Sequence, residues 1–129
     1  MLRPASATGT FFDIFGESRV RAEAADRARL RIDTHRGHQN IVGTVHGGFL
    51  MALADQALFI CPTALGHDVL GGVTVDASCQ FIGAGRIGTP LDAVVEVLRE
   101  TGRMLFARGL IEQEGTVVMA FTGTLRKPR

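Results

Sequence analysis

A chain of 129 residues, 46% apolar and 21% charged, is long enough for one domain with a real core and too short for two. A net charge of +1 argues against a nucleic-acid binder; the one basic cluster, Arg126-Lys127-Pro128-Arg129, reads as a solvated, frayed end. The N-terminal residues carry no secretory signature, so a cytoplasmic location is expected, and Cys61 and Cys79 read as reduced core residues, not a metal or redox pair.

Residues 1–16 form an extension. Its first ten residues are small and polar and are expected to be mobile, while Phe11-Phe12-Asp13-Ile14-Phe15 reads as one helical turn ending near Gly16. That turn is either a lid over the core edge or a wall of a substrate pocket. From Ser18 to Thr34 apolar residues fall at every second position, most clearly in Ala28-Arg29-Leu30-Arg31-Ile32-Asp33, the pattern of a half-buried strand. A polar connection follows, in which His35 and His38 lack the acid or thiol set that would make them metal ligands.

The chain is organised around Asn40-Ile41-Val42-Gly43-Thr44-Val45-His46-Gly47-Gly48 and the run Phe49 to Cys61, in which only Asp55 and Gln56 are polar. Thirteen residues make about 20 Å of helix, short of a bilayer core of about 30 Å, so a core helix is expected, ending or kinking at Pro62. Such a helix is apolar nearly all round and must be covered on every side. Asp55 is therefore predicted to be a buried carboxylate, costly unless paired or facing a cleft. The glycine pair leaves the first N–H groups of the helix without side-chain cover, at the positive end of its dipole.

Beyond the helix, Gly71-Gly72 opens a strand, Val73 to Ile82, with Val73, Val75, Ala77, Cys79 and Phe81 on one face and Thr74, Asp76, Ser78 and Gln80 on a wetter one. Gly83-Ala84-Gly85-Arg86-Ile87-Gly88 matches the dinucleotide-binding glycine pattern literally. The valine-rich alternation of Thr89 to Glu100 and its late position in the chain favour a strand there instead of a nucleotide-binding helix. Met104 to Gln113 and Thr116 to Leu125 complete a set of four consecutive strands, predicted to form an antiparallel meander with the helix on its apolar face. A sheet leaves the far side of that helix uncovered, so a homo-oligomer is expected on physical grounds alone.

Asn40, His46-Gly47-Gly48, Asp55 nine positions after the histidine, and the strand start Gly72-Val73-Thr74-Val75-Asp76 together resemble the hotdog-fold acyl-CoA thioesterases of the phenylacetic-acid-degradation (PaaI) type. The likeness runs from about Ala28 to Leu125. It implies an α+β fold in which an antiparallel sheet of five to six strands wraps one central helix, and an enzyme that hydrolyses acyl- or aryl-CoA. By the resemblance, Asp55 is the catalytic base or nucleophile, and the Gly47 N–H polarises the thioester carbonyl. His46 and Asn40 position thioester and water, and Thr74 holds the attacking water. Gly48 falls among the substrate-binding positions, and Arg86 and Arg103 are candidates for the CoA phosphates. The acid and the glycine of one site come from different subunits in that family, whose dimers pair into tetramers. No metal or separate cofactor is expected, coenzyme A being part of the substrate. An acyl-CoA-binding sensor and a hotdog hydratase are the competing readings; aryl or medium-chain acyl groups are the expected substrates.

Overall fold

Six strands and one long helix account for most of residues 9–129, the part of the chain that the computed structural model describes. The first eight residues of the leader expected to be mobile lie outside the described residues. Phe11–Phe15 forms the expected turn as a 3-10 helix, closed by Gly16 at φ 61°. Phe15 is buried against Phe49, with ring centroids 5.9 Å apart.

The strands are β1 (Ser18–Ala24), β2 (Arg27–Ile32), β3 (Val73–Phe81), β4 (Leu91–Glu100), β5 (Met104–Gln113) and β6 (Thr116–Arg126). All pair antiparallel in one sheet, in the order β1-β2-β4-β5-β6-β3. Two expectations are corrected. The single early strand is a hairpin, because Ala25-Asp26 turns the chain without glycine or proline, and the Asp26 carbonyl accepts from Val97 N–H at 2.8 Å. The meander covers only β4, β5 and β6; β3 crosses to the far edge and pairs with β6. The glycine-rich segment 83–88 is a loop feeding strand β4, not the start of a helix.

Helix α1 spans Gly47–Ala64, so it begins ahead of the apolar run and carries Pro62 inside its last turn. Eighteen residues make about 27 Å, near bilayer length, so it is burial against the sheet and not shortness that marks α1 as a core helix. Leu53, Ala57, Leu58 and Cys61 are wholly buried, and burial pushes the Cys61 thiol up to about 12. α1 packs chiefly on β4, β2 and β1, whose inward residues Leu91, Ala93, Val95, Ala28, Leu30, Ile32 and Val20 are all buried. Over β6 the helix settles close: a Cβ on Gly123 would collide with the Leu58 side chain.

On the outer face of β1, β2, β4 and β5, charges pair across strands. Arg29 reaches Asp92 at 2.8 Å, Glu112 at 2.8 Å and Glu23 at 2.9 Å, and Arg31 grips Asp92 with two hydrogen bonds of 2.7 and 2.9 Å. Asp92 is nearly buried. Burial pushes its carboxyl up, but the hydrogen bonds and charges of Arg31 and Arg29 outweigh that and hold it below the usual carboxylate value. A carboxyl lowered on folding stabilises the fold fully above its unfolded value of about 3.9, and that stability is lost as pH falls through the folded value. Asp92→Asn is therefore expected to cost about 1–3 kcal/mol at pH 7 and to show a smaller further loss than wild type between pH 5 and pH 2. Urea titrations across that range check this, and equal acid losses in both proteins would exclude Asp92 as the source.

Candidate active site

Extended backbone at His46 turns the chain into α1, and the His46 ring caps the helix: Nδ1 accepts from Gly48 N–H at 2.8 Å. With Nδ1 an acceptor, the neutral ring carries its proton on Nε2, on an exposed side chain. Among the described residues nothing accepts from the Gly47 N–H, which points out of the positive end of the helix. A Cβ on Gly47 would stand 3.3 Å from the Phe81 ring, so Phe81 flanks this donor.

The loop leading to the cap is rigidly braced. Asn40 Oδ1 accepts from Val42 N–H and Thr44 N–H, each at 3.0 Å, and Asn40 Nδ2 donates to Thr44 Oγ1 at 2.8 Å. Both ends of the Asn40 amide are thus engaged inside the loop, which leaves Ile41 fully and Val42 largely exposed at its tip. Val45 N–H donates to Gly85 O at 2.9 Å and His46 N–H to His38 O at 2.8 Å. Two further braces carried no sequence signal. Buried Gln113 accepts from Arg86 N–H at 2.8 Å and donates to Arg86 O and Thr89 O, while Thr34 Oγ1 donates to Thr89 O and accepts from Gly88 N–H, both at 2.8 Å.

His38 is a structural residue. Its ring stacks on Phe49 at 3.9 Å between centroids, Nδ1 accepts from His35 N–H, and Nε2–H donates to Ile14 O at 2.7 Å, tying the N-terminal turn to the helix entry. Burial pushes its imidazole below the usual value. Among the described residues no group of three or more His, Cys, Asp or Glu is placed to hold a metal.

Asp55 is exposed in the protomer, which corrects the expectation of a buried carboxylate. The reason is the stripe it occupies. Gly48, Met51 and Asp55 are exposed and Ala52, Gln56 and Phe59 half-buried, all on the side of α1 turned away from β4. Asp55 Oδ1 accepts from Thr74 Oγ1 at 2.6 Å. The contact depends on a bulge. Thr74 lies opposite Leu125 and Asp76 opposite Thr124, so Val75 is the extra residue. Directly opposed side chains share a face, and Leu125, Phe121 and Met119 are buried, so Thr74 joins Ala77, Cys79 and Phe81 on the helix side while Asp76 stays on the outer one.

The donor and the acid are well separated within one chain. Eight helical steps from Gly47 to Asp55 amount to about 12 Å, too far for both to act on one carbonyl group. Each protomer therefore presents two separate groups of residues, Gly47 with His46 and Phe81 at one end and Asp55 with Thr74 at the other. Arg86 and Arg103 are likewise apart, at opposite ends of β4, roughly 30 Å by strand length, so they do not form one phosphate site in a protomer. Arg86 lies near the Gly47 end and pairs with Glu114 at 3.1 Å. Arg103 lies at the Thr74 end, where Met104 and Val73 both face Arg126.

A single antiparallel sheet of six strands wrapped on one central helix defines the hotdog class. The chain belongs to the thioesterase superfamily, whose sequence pattern matches residues 42–120, more than half of its length. A Pseudomonas aeruginosa protein named as an esterase, PA0474, is 26% identical over 126 residues, covering 98% of this chain and 94% of its own. Among solved structures, a mutant of the phenylacetic acid degradation protein PaaI from Thermus thermophilus superposes with a TM-score of 0.75 at 26% identity, over 91% of this chain and 97% of its own. A thioesterase protein from Streptococcus pneumoniae, solved with coenzyme A, shares the fold with a TM-score of 0.78 at 21% identity, over 91% of this chain and 92% of its own.

Because the His46 ring supplies the cap, His46→Ala is expected to lower stability by about 0.5–2 kcal/mol and His46→Asn to restore most of it. Denaturant unfolding of the three proteins reads this directly; equal midpoints would show that the cap contributes nothing.

Proposed function

We propose that the protein hydrolyses the thioester of an aryl- or medium-chain acyl-CoA, in a homo-oligomer whose sites each join Gly47 of one copy to Asp55 of another. The observation that carries this reading is the free Gly47 N–H and the Thr74-held Asp55, about 12 Å apart on one helix. Two copies related by a two-fold axis and lying helix to helix in opposite directions would bring donor to acid twice over. The uncovered surface suits that pairing. β3 is a nine-residue edge strand with Val73, Val75 and Phe81 about half exposed, beside the open Met51, Ala52 and Phe59 stripe of α1. A long apolar edge of this kind invites a second strand.

In the reaction, the thioester oxygen accepts from Gly47 N–H, where the helix dipole adds about half a positive charge. Asp55 takes a proton from water as the water oxygen attacks the carbonyl carbon, or attacks that carbon itself and is then hydrolysed. The C–O bond forms, the C–S bond breaks, and the proton leaves with the CoA thiolate. Thr74 fixes the carboxylate, and the His46 Nε2–H and Asn40 loop border the thioester. The acyl group would lie against Phe81, Met51 and Ala52. The coenzyme A in the Streptococcus pneumoniae relative supports CoA as the thiol carried by the substrate. The reaction calls on the chain's own groups and water.

Release of CoA, followed with a thiol reagent across phenylacetyl-, hydroxybenzoyl- and straight-chain acyl-CoAs, tests the activity. Asp55→Asn is expected to lower kcat by roughly 10²–10⁴-fold. Gly47→Pro deletes the donor at a helix position that tolerates proline and is expected to cost roughly 10²–10³-fold. Mixing the two inactive proteins after joint unfolding and refolding should restore activity, because each hybrid pair contains one intact site. Wild-type rates in Asp55→Asn would defeat the role of the acid, and hybrids with no recovered activity would defeat the shared site.

A further inference from the structure

The basic tail, read from the sequence as a solvated end, is docked: Lys127 N–H donates to Arg103 O at 2.7 Å, and Lys127 Nζ donates to Thr101 O at 3.2 Å and pairs with Glu100 at 3.1 Å. A separate arginine group stands on the outer face of the sheet, the side turned away from α1. Cross-strand register builds it. Arg21, Arg29, Val94, Leu110, Ala120 and Gln80 are directly opposed from strand to strand, so one row of side chains crosses all six strands on one face. Two arginines begin the row, three apolar residues form its middle and an amide ends it.

The middle of the row floors a trough of about 560 Å³, a size in the range of small-molecule sites. Leu110 is exposed and Val94 and Ala120 are half-buried, giving roughly 10 Å of hydrocarbon across two strand spacings. Charges on the flanks answer one another: Glu96 pairs with Arg108 at 2.8 Å and stands opposite Arg27, and Glu112 pairs with Arg29 at 2.8 Å. Arg29 also walls a smaller cup of about 210 Å³, whose other walls are Arg19, Arg21 and Arg31. Trough and cup therefore meet at one guanidinium group.

The cup holds charge that its own acids do not balance. Arg19 is directly opposite Arg31 and Arg21 directly opposite Arg29, and like charges so placed repel. Glu23, Asp92 and Glu112 between them pair with Arg21, Arg29 and Arg31, while Arg19 has no carboxylate partner among the described residues. Four guanidinium groups against three carboxylates leave one positive charge, which suits a monoanion and falls short of a phosphate dianion. The Arg21 and Arg31 side chains, 60% and 47% exposed, keep N–H donors open to a ligand, and a carboxylate is a monoanion that fits their forked geometry.

We propose that the outer face binds an amphipathic carboxylate, an aliphatic or aryl acid whose head lies among Arg19, Arg21 and Arg31 and whose hydrocarbon body lies on Val94, Leu110 and Ala120. The ligand is recognised by charge and apolar surface alone, so the assignment stands apart from the thioesterase reading. The site is across the sheet from Gly47 and Asp55, and a bound head group relieves the arginine repulsion.

Calorimetry with octanoate tests this on wild type, on Arg19→Ala/Arg21→Ala and on Leu110→Glu, all three positions being exposed. Wild type should bind octanoate, and octanol at least tenfold more weakly. Each variant should bind octanoate tenfold or more weakly than wild type, one through lost charged hydrogen bonds and the other through a like charge in the trough. No binding to wild type, or equal affinity for octanoate and octanol, overturns the proposal whether or not the variants fold. Unchanged affinity in either variant places the acid elsewhere, the α1 stripe included, and overturns it too. Two other occupants are told apart with the same proteins. If octanoate does not bind but vesicles containing phosphatidylglycerol sediment wild type and not the double variant, the face meets a membrane surface. If octanoate does not bind and light scattering gives wild type a larger mass than Leu110→Glu, a second copy covers the face. Either result overturns the assignment of a free acid.

Discussion

A helix that is apolar on almost every side has to be enclosed, and one sheet of this length cannot enclose it. α1 is sealed where it meets the sheet, and Leu53, Ala57 and Leu58 reach zero exposure there. What remains open is a single stripe, and the stripe holds the one acid of the helix. The strand nearest that opening, β3, is also one of the two edge strands of the sheet. Incomplete cover and an accessible carboxylate are thus two results of the same shortage of sheet.

The chemistry of that opening depends on small departures from regular structure. Without the extra residue at Val75, Thr74 would face outward with Asp76 and could not reach Asp55. Without a glycine at position 47, a side chain would press on Phe81 beside the donor. Both features place polar groups where a packed helix and strand would otherwise offer only hydrocarbon.

Much of this was readable from the residues. The apolar run, the glycine pair, the alternation of β5 and β6 and the 3-10 turn of phenylalanines each follow from local patterns that tertiary packing left alone. His46 and Asp55, nine positions apart in the sequence, fall at the N-terminus and on the exposed stripe of α1. Other features escaped for identifiable reasons. The β1–β2 turn uses Ala25-Asp26, where Asp26 alone, without glycine or proline, is too weak a signal to divide an alternating run. The crossing of β3 to β6 is a long-range pairing that alternation cannot express, and neighbouring strands in sequence suggested a simple meander instead. The bulge is invisible to a period-two reading, which put Thr74 on the wrong face. Gln113 and Thr34 look like ordinary polar strand residues; only the closed loop 85–89 reveals them as braces. The docking of Lys127 depends on Glu100 and Thr101, more than twenty residues earlier.

The loop closed by Asn40 has a thermodynamic corollary. Its turn is fixed by three side-chain hydrogen bonds and by the left-handed Gly43 at φ 95°, yet it displays all of Ile41 and most of Val42 to water. Aliphatic groups presented on backbone that is already immobile surrender little conformational freedom when covered, so most of the gain from drying them survives as net affinity. Whatever surface comes to rest on that loop meets a stiff hydrophobic tip, formed before contact.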